Sequence, residues 1–215
     1  MKRVLIACEE SQTVCKAFRA KGFEAFSCDI QDCSGGHPEW HLKGDVLQYL
    51  DKGWDLIIAH PPCTYLTVAG VRWLYNKDKT RNEDRFAKQQ DALDFVKMIM
   101  QANAPRIAIE NPVSVISSNI RKPDQIVQPW QFGHKASKQT CLWLKNLPLL
   151  KPTSIVEKGE FKEWVCSTTG KVKRQTIWMY EAACKSRTPA ERACLRSKTF
   201  QGIADAMAEQ WGTVL

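Results

Sequence analysis

The chain has 215 residues, 44% hydrophobic and 25% charged, the balance of a globular protein, which excludes a disordered or fibrous chain. Lys and Arg outnumber Asp and Glu by 31 to 23, a formal net charge of +8 that suits a polyanionic partner, although a solvated basic face reads the same way. Nine cysteines without the spacing of a disulfide framework, no apolar leader after Met1, Lys2 and Arg3, and no apolar run near the ~20 residues that cross a bilayer together predict a cytoplasmic protein with no membrane role.

Val4 to Ala7 is a short apolar run, broken by Cys8, Glu9, Glu10 and Ser11 before Val14, Ala17 and Phe18 recur at helical spacing: strand, turn, helix. Gly22 ends the helix, and Phe23 to Cys28 alternates bulky and small residues into Asp29, predicting a second strand that closes on an acid. A polar loop from Gln31 to Lys43 leads to Asp45, a brief helical stretch through Leu50, and the nearly continuous apolar strand Trp54 to Ala59. That strand stops at His60, Pro61, Pro62 and Cys63, because two prolines end ladder bonding and force the chain into a loop.

Val68 to Arg85 mixes Trp73, Leu74 and Tyr75 with five basic residues and precedes a helix carrying Phe86, Leu93, Val96, Ile99 and Met100 on one face. Arg106 to Ile109 is the next strand, ending on Glu110, Asn111 and Pro112. Strands alternating with helices predict a mostly parallel sheet with helices on both faces, whose ligands bind beyond the carboxyl ends of the strands. Asp29, Asp45, Cys63 and Glu110 all fall at or after such ends and should share one rim. Further on, Cys141 to Leu144 reads as a strand, Pro148 and Pro152 bound a turn, a hairpin is expected around Ser167 to Lys171, and Ile203, Met207 and Trp211 mark a closing helix that docks on the sheet. The organisation predicted is an α/β core over 1–152, a small irregular substrate-facing subdomain over 153–196, and a helix over 197–215 that returns to the core.

A thiol fixed behind two prolines at a buried strand end is a candidate nucleophile, and a helix beginning beyond it would favour the thiolate; the alternative is that Cys63 is a small buried apolar residue. A carboxyl group at Glu110, on the neighbouring strand, would face the same pocket; alone, it reads as an ordinary salt-bridged carboxylate. Together they suit one chemistry. Cytosine is a poor carbon nucleophile, but thiolate addition at carbon 6 with a proton delivered toward ring nitrogen 3 turns carbon 5 into an enamine. Cys28, Cys33, His37 and His41 have spacings that a zinc site uses, but Asp29 and the fold-back that such a ring would demand argue against it, so no metal is expected.

On the Pro62–Cys63 loop, the Glu110–Asn111–Pro112 triplet and the strand pattern, most of the chain resembles the DNA cytosine-5 methyltransferase family. The resemblance implies a class I methyltransferase (Rossmann-like) sheet, S-adenosylmethionine as cofactor, DNA as partner, catalytic roles for Pro62, Cys63, Glu110 and Asn111, and cofactor contacts from Asp29 and Asp45 with Ile30 and Val46 beside them. Cys8, Glu9, Glu10 and Ser11 occupy the place of the family's Phe-x-Gly-x-Gly cofactor turn without its glycines, and His60 is grouped with them on the cofactor side. Gln139 stands where the Gln-x-Arg-x-Arg element would begin, with both arginines missing, and Gly202 and Ile203 stand where the closing Gly-Asn-x-Val element would, without its asparagine. No full recognition domain is present, so substrate contact is expected from Arg72, Gln139, Lys171, Lys173 and Arg174, the last three on the hairpin with Trp164, Trp178 and Tyr180 nearby. Two rivals remain: modification of a free nucleotide or RNA, or use of a modified donor, and a non-catalytic nucleic-acid-binding module on the same fold.

Overall fold

The computed structural model describes residues 1–215 apart from residue 190. Its elements, in chain order, are β1 (Arg3–Ala7), α1 (Thr13–Ala20), β2 (Glu24–Asp29), β3 (His41–Lys43), β4 (Leu56–Ala59), α2 (Glu83–Met100), β5 (Arg106–Pro112), α3 (Ile116–Asn119), β6 (Gln125–Val127), β7 (Thr140–Lys145), β8 (Phe161–Val165), β9 (Val172–Thr176), α4 (Ile177–Lys185), α5 (Pro189–Ser197) and α6 (Gln201–Gly212). Seven strands form one sheet in the order β3-β2-β1-β4-β5-β7-β6, and β8 and β9 form a separate hairpin. The first five of the sheet's strands are mutually parallel; β7 runs antiparallel to both β5 and β6. This is the mostly parallel sheet expected from the strand–helix alternation, in the class I methyltransferase (Rossmann-like) arrangement that the family resemblance implies.

The central strands are buried on both faces, which is why they read as unbroken apolar runs. Side chains alternate across β1, so Val4 and Ile6 join one core with Phe18 of α1 and Met207 and Trp211 of α6, while Leu5 and Ala7 join a second core with Val96 and Ile99 of α2 and Trp143 of β7. Trp211 is fully enclosed and donates its indole N–H to the Pro148 carbonyl at 2.9 Å, tying the closing helix to the turn after β7. Gly202 is required on α6 because a Cβ there would collide with the Phe132 carbonyl oxygen.

Two sequence expectations are corrected, and the helix considered behind Cys63 is a tighter turn. The stretch Gln31 to Lys43 is not loop throughout: its last three residues form β3, pairing His41 with Ser27 and Lys43 with Asp29. The strand expected over Arg106 to Ile109 runs on to Pro112, because β7 extends the ladder and pairs Glu110 with Leu142, Asn111 with Cys141 and Pro112 with Thr140. No α-helix starts behind Cys63: its carbonyl accepts from the N–H groups of Leu66 and Thr67, a turn that leads into 3-10 structure over Val68–Leu74. Among the described residues, no helix is long and apolar enough to cross a membrane.

Candidate active site

Pro61 is buried and Pro62 exposed, and the half-buried Cys63 follows them off the end of β4. The next strand holds this turn in place. Asn111, almost wholly buried in β5, donates its side-chain N–H to the Pro61 carbonyl at 2.8 Å. Farther along, Val68 donates to the Val113 carbonyl at 3.2 Å and Val115 to the Leu66 carbonyl at 2.8 Å, so the two loops are stitched together along their length. The structure thereby brings Cys63 and Glu110 into one electrostatic neighbourhood.

Burial pushes the Cys63 thiol above its ordinary pKa; the Glu110 charge raises it further, and Lys138 and Arg196 pull back. Glu110 goes the other way. Its burial opposes ionisation, but the His60 ring, the Lys138 charge and the Thr140 hydroxyl outweigh it and hold the carboxyl below the ordinary value. His60 Nδ1 lies 3.6 Å from Glu110 Oε2. The resting pair is a protonated thiol beside an ionised carboxylate.

The first turn uses side-chain-bearing residues where glycines would be expected. Cys8 and Gln12 take left-handed backbone conformations, with φ of 59° and 57°. The buried Glu9 carboxylate accepts the N–H groups of Val14 at 2.8 Å and Cys15 at 3.1 Å, closing the open end of α1. Cys8 feels the charges of both Asp29 and Asp45, which places the ends of β1, β2 and β3 around one spot. Asp29 accepts from the Gln31 N–H at 2.9 Å and Asp45 from the Leu47 N–H at 3.0 Å, each through one oxygen. Ile30 beside them is 74% exposed, whereas Val46 is buried in the second core. Two carboxylates with a free oxygen each, and an apolar side chain held at the surface, fit the hydroxyls and the flat ring of a nucleoside cofactor.

Among the described residues, the other predicted ones make no hydrogen bond to Cys63 or Glu110, although Gln139 is flanked by Lys138 and Thr140, which both act on Glu110. Gln139 is exposed just ahead of β7, and Arg72 is exposed with its guanidinium 4.5 Å from the Trp73 ring centroid. Lys171 and Lys173 are exposed on the hairpin; Arg174 is tied down, 3.8 Å over the Phe161 ring and 3.5 Å from Glu163. Trp178 and Tyr180 belong to α4, where Trp178 donates to the Ser137 carbonyl at 3.1 Å. His41 is bound to Ser27 and the Gln31 carbonyl, and His37 to Glu39.

Sequence reasoning missed Lys138 and Arg196. Lys138 Nζ donates to the Arg196 carbonyl at 3.2 Å, and the Cys194 thiol donates to Glu10 at 3.4 Å, so α5 meets both the segment ahead of β7 and the first turn. The available signals were the place of Lys138 next to Gln139 and the basic stretch from Lys185 to Lys198.

No family model matches the chain, and no curated protein does. Among solved structures it is similar to a DNA modification methyltransferase encoded within a prophage (E. coli), at 14% identity and TM-score 0.49 over 73% of this chain and 52% of that one. It is also similar to an rRNA methylase from Escherichia coli, at 15% identity and TM-score 0.37 over 67% and 57%, and to the S. pombe Dnmt2 methyltransferase, at 15% identity and TM-score 0.43 over 99% and 66%. The chain thus spans between about half and two thirds of the length of these structures.

Proposed function

We propose that this protein transfers a methyl group from S-adenosylmethionine to carbon 5 of cytosine in a nucleic acid, with Cys63 as covalent nucleophile. The observation that carries the reading is the Asn111 to Pro61 hydrogen bond, which fastens the Cys63 loop to the strand bearing Glu110. In the cycle, one proton leaves the Cys63 sulfur and reaches Glu110, reversing the resting protonation of the pair. The sulfur bonds to carbon 6, the ring electrons shift from C5–C6 to C4–C5, and nitrogen 3 takes the proton from Glu110. Bound S-adenosylmethionine would supply an electrophilic methyl group, held by Asp29, Asp45 and Ile30 with the Cys8 to Ser11 turn. After methyl transfer to carbon 5, loss of that carbon's proton to water, with return of the nitrogen 3 proton through Glu110, expels Cys63 with its original proton. The target base must be turned out of a duplex for the sulfur to reach it.

A polymeric substrate is supported by the hairpin. Cross-strand partners share a face, so Trp164 and Lys173 lie together with Lys162 and Gln175, while Arg174 pairs with Glu163 on the other side. The first face joins the exposed Trp164 indole to the exposed Lys162 and Lys173, a platform for base stacking and phosphate contact. Incubation with S-adenosylmethionine and DNA containing 5-fluorocytosine should give a covalent protein–DNA species that Cys63→Ser abolishes. An adduct with 5-fluorodeoxycytidine monophosphate and none with DNA or RNA would move the substrate to the free nucleotide; no adduct with any of them defeats the reading.

A further inference from the structure

His60 is the residue whose surroundings least match a packing or cofactor role. Its backbone N–H donates to the Ala7 carbonyl at 2.9 Å, which pins the residue at the seam where β1 and β4 end. The ring is 13% exposed and points Nδ1 at Glu110, whose side chain is 11% exposed. On another side stands the buried Glu9 carboxylate, whose charged form His60 favours. Nε2 is buried without a partner. The polar ring thus stands 3.6 Å from a buried carboxylate and keeps a second nitrogen buried with no partner among the described residues, a poor fit to a purely apolar packing role.

We propose that His60 is the positioning residue for Glu110: Nδ1 holds one carboxylate oxygen, leaving the other aimed at the pyrimidine edge and free to exchange a proton with Cys63. This rests on the function proposed above and departs from the placement of His60 among the cofactor contacts. The groups that set the titration of the pair are all at hand. Around Glu110 stand His60 from the end of β4, Lys138 and Thr140 ahead of and within β7, and the thiols of Cys63 and Cys141; Arg196 of α5 acts on Cys63. Glu9 adds its own partners, the Val14 and Cys15 N–H groups and the neighbouring Glu10. Of these, His60 is the group that lies 3.6 Å from Glu110 and also favours the charged form of Glu9.

The test compares His60→Leu, which removes the donor, with His60→Asn, whose side-chain N–H can replace Nδ1. In His60→Leu, kcat for methyl transfer should fall by about 10-fold or more with KM for S-adenosylmethionine unchanged, and His60→Asn should recover most of it. Because the starting state needs Glu110 ionised, losing its partner should also move the acid limb of the kcat profile to higher pH. An equal fall in both variants, or a raised KM for S-adenosylmethionine with kcat intact, overturns the proposal. A second readout separates it from the function itself: carbon-13 NMR titration of the Glu110 carboxyl in the protein without substrate. That carboxyl should titrate at higher pH in His60→Leu whatever reaction is catalysed, and an unmoved titration refutes the positioning role even if methyl transfer is confirmed.

Discussion

Replacing Asn111 by Ala tests whether one side chain holds the catalytic loop to the sheet. The variant loses the 2.8 Å bond to the Pro61 carbonyl and leaves that acceptor buried without a protein partner. An unsatisfied buried acceptor of this kind costs about 1–3 kcal/mol. Taking about 2 kcal/mol, and about 2–4 °C per kcal/mol for a chain of this size, Tm should drop by roughly 4–8 °C. Thermal unfolding followed by circular dichroism measures the drop, and initial rates on cytosine-containing DNA measure the second consequence: kcat should fall by more than the unfolded fraction accounts for, since the Cys63 loop loses its register against Glu110. A variant that melts within about 1 °C of the parent would show that the Val68 and Val115 backbone bonds hold the loop without Asn111, and would refute its fastening role.

Three other perturbations probe separate parts of the molecule. Burial raises the Glu9 pKa above its ordinary 4.5, so the stability linked to its proton is fully present below that value and is lost as pH rises through the folded-state pKa; Glu9→Gln keeps one acceptor for α1 but cannot ionise, and its Tm relative to the parent should climb between pH 5 and pH 8, with a constant difference in calorimetry counting against the buried charge. Gly202→Ala drives a methyl group into the Phe132 carbonyl and should cost about 3 kcal/mol or more by urea denaturation, whereas a neutral result would mean that α6 shifts freely against the turn. On the hairpin, Trp164→Ala should weaken single-stranded DNA by about 1–3 kcal/mol with little change in salt dependence, while Lys173→Ala should make the salt dependence shallower; Arg174→Ala, already paired to Glu163, should do less than either, and equal losses from all three would contradict the sorting of faces.

What was legible in the sequence follows the strength of each local signal. The apolar runs of β1 and β4 and the periodic faces of α2 and α6 identified themselves, because burial on both faces of a sheet or one face of a helix dictates composition directly. His41–Lys43 and Gln125–Val127 did not, since a three-residue strand at the edge of a sheet carries no period and takes its conformation from its neighbour. The two proline-marked strand ends announced Cys63 and Glu110, but the ladder that extends β5 through Glu110 comes from β7, some thirty residues later, and has no local trace. Lys138 and Arg196 were hidden for the same reason: their meeting is a tertiary event across 58 residues of sequence. The first turn carries no glycine, yet Cys8 and Gln12 adopt the left-handed geometry that glycine takes most readily. Gln12 is held in it by a reciprocal pair of hydrogen bonds with the His37 backbone, 2.7 and 3.1 Å long.

The segment expected to face substrate is linked mechanically to the Cys63–Glu110 pair. Residues 153–196 carry both the exposed hairpin and most of α5, and α5 is capped by a reciprocal Thr188–Glu191 box before it reaches Glu10 and Lys138. Lys138 acts on both members of the proposed catalytic pair, lowering the thiol and the carboxyl alike. A displacement of the hairpin by a bound strand is therefore two short helices away from the cation that balances Cys63 against Glu110. The Cys194 thiol on Glu10 and the Lys138 ammonium on the Arg196 carbonyl join α5 to this centre. Under the proposed mechanism, the resting proton sits on sulfur, and shifting Lys138 toward or away from the pair alters the ease with which it moves. On that reading, contact at the hairpin and the protonation of Cys63 would be linked through α5, which carries Arg196 and accepts from Lys138.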